Sequence, residues 1–86
     1  MKQISYQQNK NIIHNRLREA RLRCGFSQEQ LAAQMQLLSL NIDQQIISRI
    51  EKNQRQVTDY EVACLCKCLR VSFEWLIQDH AEFCES

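Results

Sequence analysis

Two adjacent carboxamides, Gln44 and Gln45, open the stretch "DQQIISRIEKNQR", with Arg49 one helical turn further on and Lys52, Gln54 and Arg55 closing it. A carboxamide contributes nothing to a hydrophobic core, but it carries a donor and an acceptor side by side. Set against a base edge it makes two hydrogen bonds at once, with adenine as its natural partner. Cations beside such a pair release counterions when they meet phosphates. Gln44 and Gln45 are therefore the candidates for base contact, and Arg49, Lys52 and Arg55, with Ser48 and Gln54 beside them, those for phosphate contact. The chemistry is recognition of a nucleic acid through the first turn of a helix.

That helix has its own signals. Asp43 is an N-cap, Ile46, Ile47 and Ile50 form a buried stripe, and Asn53 is a C-cap, so the spacing predicts a helix over 43–53 with Gln44, Ser48 and Arg49 facing outward. Upstream, Ile13, Leu17, Ala20 and Cys24 follow one helical face that ends at Gly25. Ser27 then starts a second helix in a capping box with Gln30, Phe26 stapling onto Leu31, and Leu31, Ala32 and Met35 turned inward. Helix two is expected to run through Leu37 or Leu38, with Asn41 taking the left-handed conformation that reverses the chain. Thr58 or Asp59 caps a fourth helix with Val62, Leu65, Cys66 and Leu69 inward. Ser72 caps a fifth, "FEWLIQDHAEF". The expected organisation is a flexible arm over 1–10, one all-α domain over 11–80 and a tail over 81–86.

Composition agrees with that organisation. The 86 residues include no proline and one glycine, which leaves few helix breakers. A chain this short buries only about 60 to 65 % of its unfolded surface, enough for one small core. The net charge of +1 hides an asymmetry: residues 1–55 hold nine Lys or Arg against four acids, a balance of +5, and residues 56–86 two against six, a balance of −4. A polyanion belongs on the basic half. No secretion signal or membrane span is evident, so a cytoplasmic location is expected and the five cysteines are expected as thiols. Cys64, Cys66 and Cys68 sit at i, i+2 and i+4, which sends Cys66 to the opposite side of a helix; they are expected to pack as small hydrophobes rather than to hold a metal. No glycine-rich phosphate loop and no nucleophile–base set stands in recognisable context. An enzyme, a cofactor and a small-molecule substrate are not expected.

The segments "LREARLRCGFSQEQLAAQM", "IISRIEKNQR" and "LRVSFEWLI", in that order and spacing, resemble the lambda-repressor-like (Cro or XRE type) helix-turn-helix family over roughly residues 12 to 77. The resemblance implies a five-helix DNA-binding bundle in which helix three enters the major groove and helix two crosses the backbone. It also implies that the base-reading positions fall on Gln44, Gln45 and Arg49, that Gln28 contacts phosphate and that Arg21 and Glu51 form a structural ion pair tying helix one to helix three. One departure stands out: "QLLSLNID" replaces the family's usual short, glycine-containing turn between helices two and three.

The expected function is sequence-specific binding of double-stranded DNA by a small transcriptional regulator, a repressor working as a homodimer on a two-fold site. The rival is an antitoxin or other protein-interaction module built on the same fold, which an exposed apolar "WLIQDHAEFC" tail would support. Steep salt dependence of duplex affinity separates the two.

Overall fold

The computed structural model describes residues 9–78, which form five helices and no strand. They are α1 (His14–Arg23), α2 (Gln28–Leu37), α3 (Gln44–Glu51), α4 (Asp59–Leu69) and α5 (Phe73–Leu76). Four of the five start on a side-chain cap. Ser27 Oγ accepts the Gln30 N–H at 3.0 Å while Gln30 Oε1 accepts the Ser27 N–H at 2.8 Å. Thr58 and Glu61 repeat this reciprocal box at 3.2 and 3.0 Å. Asp43 Oδ1 accepts the Ile46 N–H at 2.9 Å, and Ser72 Oγ the Trp75 N–H at 3.1 Å. Each cap satisfies an otherwise orphaned donor and stabilises its helix by about 1 kcal/mol.

The helix ends share a second device. After α1, α2 and α3 a residue with positive φ lets two N–H groups fold back onto the last turn, the hydrogen-bond pattern of a Schellman cap. Gly25 (φ 75°) does this for α1, but Ser39 (φ 69°) and Asn53 (φ 61°) do it for α2 and α3, and Arg70 (φ 59°) closes α4 in the same conformation. The left-handed residue after α2 is thus Ser39 and not Asn41. The reason is geometric: Ser39 N–H reaches Gln36 O at 2.9 Å and Leu40 N–H reaches Met35 O at 3.3 Å, so the reversal must follow the last helical turn directly.

One core fills the bundle. Leu17 of α1, Leu31 and Met35 of α2, Ile47 and Ile50 of α3, Leu65 of α4 and Leu76 of α5 are wholly buried. α3 is held between α1 and α2, and α4 packs on α2 and α5. Four expected core positions differ, among them Ile46 of α3, which lies at the flank of its stripe and is only partly buried. Cys24 is exposed, because it lies beyond the last turn of α1, where its thiol donates to Leu69 O at 3.5 Å. Val62 and Cys66 are only partly buried, since α4 turns Leu65, Leu69 and the Glu61 carboxylate inward. Trp75, Leu76 and Ile77 do not form an exposed tail: Leu76 and Ile77 are core, and Arg16 and Arg23 of α1 lie 4.5 and 5.3 Å from the Trp75 ring centroid. α5 ends at Leu76 with Ile77 as its C-cap, short of the expected length; residues 79–83 of the expected fifth helix, the boundary at 80, the tail over 81–86 and residues 1–8 of the expected arm lie outside the described residues.

Residues 38–43 join α2 to α3, and Ile42 is their anchor. Its side chain is 2 % exposed, its carbonyl accepts from Gln36 Nε2 at 2.9 Å, and Leu40 packs partly against the core. Leu37, by contrast, is 77 % exposed. Ile42→Ala should therefore cost about 2 to 5 kcal/mol in urea unfolding, whereas Leu37→Ala should stay within about 0.5 kcal/mol of the parent. Equal effects at the two positions would mean that the connection is not seated as described.

Candidate nucleic-acid interface

The candidate surface is the outer side of α3 and the turn after it. Asp43 caps the helix, so the chain enters α3 extended and presents Gln44 and Gln45 in its first turn, both exposed. Arg49 and Lys52 are exposed and continue the line from Gln45 at i+4 and i+7, while Ser48 is half-buried on the side of Gln44. Ile47 and Ile50 are 0 % exposed on the opposite side, which leaves the polar face no freedom to rotate inward.

A buried charge cluster fixes this helix. Arg21 Nε lies 2.6 Å from Glu51 Oε2 and its Nη2 lies 3.1 Å from Oε1, while Nη1 donates to Phe26 O at 2.9 Å. The two side chains are 9 % and 3 % exposed. Gln28 Nε2 donates to Glu51 Oε1 at 3.1 Å. One carboxylate therefore joins α1, α2 and the loop between them to the end of α3. Removing one member of a buried pair leaves an uncompensated charge and costs about 3 to 5 kcal/mol. With one N–H of its amide engaged on Glu51, Gln28 keeps the other N–H as the donor for any phosphate.

Arg55 is placed differently from a phosphate-reaching side chain. Its guanidinium grips Glu61 through Nη1 and Nη2 at 3.0 Å each and also reaches Gln56 O at 3.0 Å. Glu61 in turn belongs to the Thr58 cap of α4. Burial pushes the Glu61 carboxyl up, but hydrogen bonds from the Arg55 guanidinium and from Thr58, with the Arg55 charge, outweigh it and leave Glu61 below its usual value. The hydrogen bond to Glu61 raises Arg55. Arg55 thus fastens the α3–α4 connection to α4, and Lys52 and Gln54 are the exposed polar residues left at that end of α3. The signal was in the sequence: Glu61 stands three residues after Thr58, where a capping box needs it.

Sequence reasoning also missed Asn11, which is 6 % exposed and spans 39 and 44 residues to bond Ile50 O at 3.0 Å and Arg55 O at 2.9 Å. No periodicity marks a single polar residue before a helix. Asn9 and Lys10, assigned by sequence to a free arm, are fastened by Asn53 in the same network. Cys64, Cys66 and Cys68 are partly buried thiols; burial pushes Cys66 and Cys68 up, and the Cys68 thiol lies 3.7 Å from Met35 Sδ.

A family model described as helix-turn-helix matches residues 17–76, which run from within α1 to the end of α5 and take in α3 and the turn after it. The chain belongs to the helix-turn-helix family. It is a small DNA-binding transcriptional regulator with the five-helix lambda-repressor-like bundle. Among solved structures, it is similar to a tyrosine-to-phenylalanine mutant of the restriction-modification controller protein C.Esp1396I, at 30 % identity and a TM-score of 0.67, over 98 % of this chain and 100 % of that one. No curated protein matches. Among the described residues no helix is long and apolar enough to cross a membrane.

The downward displacement of Glu61 has a sign that can be tested. Its contribution to stability is present above the carboxyl's unfolded value, about 4.3, and is lost as pH falls through the lower folded value. Urea midpoints measured from about pH 7 to pH 3 should fall on acidification in the parent and fall less in Glu61→Gln. An identical acid slope in the two proteins would place the sensitivity in other carboxylates.

Proposed function

We propose that this helix-turn-helix protein binds double-stranded DNA sequence-specifically as a homodimer in the cytoplasm and regulates transcription by occupying its site. Gln44, Gln45 and Arg49 read bases in the major groove, and Lys52, Gln54, Ser48 and the remaining N–H of Gln28 meet phosphates. The observation that carries this reading is the first turn of α3: two exposed carboxamides on a helix whose other side is locked by Ile47, Ile50 and the Arg21–Glu51 pair. A rigid support under adaptable amides lets a wrong base be rejected rather than accommodated. The likeness to a restriction-modification controller protein favours a regulator over an antitoxin. So does Trp75, which stacks on α1 instead of offering an apolar tail to a partner.

The surface beside α4 supports pairing with a second copy of the chain. Val57, Val62, Ala63, Cys66 and Phe73 line an apolar groove of about 340 Å³ beside α4, and Phe73 and Tyr60 are more than half exposed. Along the adjoining stripe of α4, Asp59 stands at one end and Lys67 two turns on at the other, with Ala63 between them. An antiparallel two-fold pairing of α4 sets the Asp59 end of each helix against the Lys67 end of the other, the self-complementarity an isologous contact requires. Val62→Glu should convert dimer to monomer in sedimentation without unfolding the chain; a parent that sediments as a monomer at all concentrations would refute the pairing.

Base reading is tested by Gln44→Ala and Gln45→Ala in a duplex-binding assay. Each should cost about 1 to 3 kcal/mol at one or two positions of the preferred site and leave unrelated duplexes bound as before. Equal weakening on every duplex would reduce these glutamines to backbone contacts. A parent chain with flat salt dependence would instead support the protein-interaction reading.

A further inference from the structure

Residues 9–11 precede α1 but are fastened to the far end of α3. Asn53, the left-handed residue next to Lys52, accepts the Lys10 N–H at 2.8 Å and the Asn11 N–H at 3.3 Å, and its Nδ2 donates to Asn9 Oδ1 at 2.7 Å. Asn11 completes the clasp. Both of its amide bonds go to backbone carbonyls flanking that turn, Ile50 O and Arg55 O, while its Oδ1 accepts the Ile13 N–H at 3.1 Å.

We propose that Lys10 is a phosphate-contacting residue of the DNA interface, placed beside Lys52 by the Asn53 side chain. The assignment rests on the DNA reading above and extends its surface to a segment that lies forty residues away in sequence. Three features support it. The main chain of Lys10 is bonded to the residue that follows Lys52, so its flexible four-carbon stem starts at the end of α3 where the backbone of a duplex runs. Glu61 has taken the Arg55 guanidinium, which removes a cation from this end, whereas no carboxylate among the described residues pairs with Lys10. The C-terminus of α3 also carries the partial negative charge of the helix dipole, which favours cations gathered there. A lysine held this way is a point charge, so it strengthens binding to all duplexes alike and carries no sequence preference.

The test is a cycle of Lys10→Gln, Asn53→Gly and the double variant, with affinity for a selected and an unrelated duplex measured over a salt series. Glycine keeps the left-handed backbone at 53 while removing the amide. Lys10→Gln should lower the slope of log affinity against log salt by about 0.9 on both duplexes, with the ratio between them unchanged, and Lys10→Arg should restore it. In the Asn53→Gly background the loss from Lys10→Gln should shrink. An unchanged slope in Lys10→Gln, with a steep slope in the parent, overturns this assignment and leaves the DNA reading standing. The same loss in both backgrounds overturns the role of Asn53. A parent chain whose duplex affinity does not depend on salt overturns both.

Discussion

The Glu51 carboxylate is the point on which the arrangement of the first three helices depends. It sits at the last residue of α3, almost without solvent, and receives Arg21 from α1 and Gln28 from the start of α2. A carboxylate removed from water needs its lone pairs filled, and here both oxygens are filled by donors from two other helices. The cluster therefore acts as a register: any rotation of α3 about its axis breaks charge-assisted bonds in a dry site. Apolar packing through Ile47 and Ile50 holds α3 against the core but tolerates sliding, because hydrophobic contact is non-directional. Directional bonds to Glu51 are what turn a packed helix into an aimed one.

The end of α3 is held by a second polar system with different chemistry. Asn11 and Asn53 are neutral, they bond mainly to backbone groups, and together they set the turn that follows the helix. The Arg55–Glu61 pair then fastens the next segment to the cap of α4. The turn carrying exposed Lys52 and Gln54 is thereby fixed at both sides by polar bonds, while Val57 further along the connection packs against the core. For contact with a polyanion this has a clear benefit, since side chains ordered beforehand lose less entropy when they bind.

The all-α class, the helix starts and much of the core were legible in the sequence because each rests on a local rule. Ser27, Asp43, Thr58 and Ser72 cap the helices they precede, and the apolar spacing of Leu31 with Met35 and of Ile47 with Ile50 is read directly from the 3.6-residue period. The exposure of Gln44 and Gln45 followed from the same period. What was not legible was long-range polar pairing. Arg55 reads as one more surface cation until Glu61 is seen beside it, and Asn11 reads as an ordinary polar residue before helix one until its bond to Ile50 O is seen. Nor does propensity reveal Ser39 and Arg70 as left-handed residues. In a chain with one glycine, other side chains must take up that conformation, and tertiary packing selects which.

The connection between α2 and α3 shows how such a fold absorbs extra residues beside its third helix. Six residues separate the two helices, but only their ends are constrained: Leu38 and Ser39 complete the cap of α2, and Ile42 with Asp43 enters the core and starts α3. Gln36 ties the halves together through Ile42 O, and Asn41 between them remains exposed. The orientation of α3 is thus set by Ile42 below it, Glu51 at its end and the isoleucines along it, none of which requires a short turn. Loop-closure cost rises only slowly with length, so an insertion is tolerated where an anchored residue resumes the old path. A glycine-containing tight turn is one means of aiming the reading helix, and a buried isoleucine followed by an aspartate cap is another.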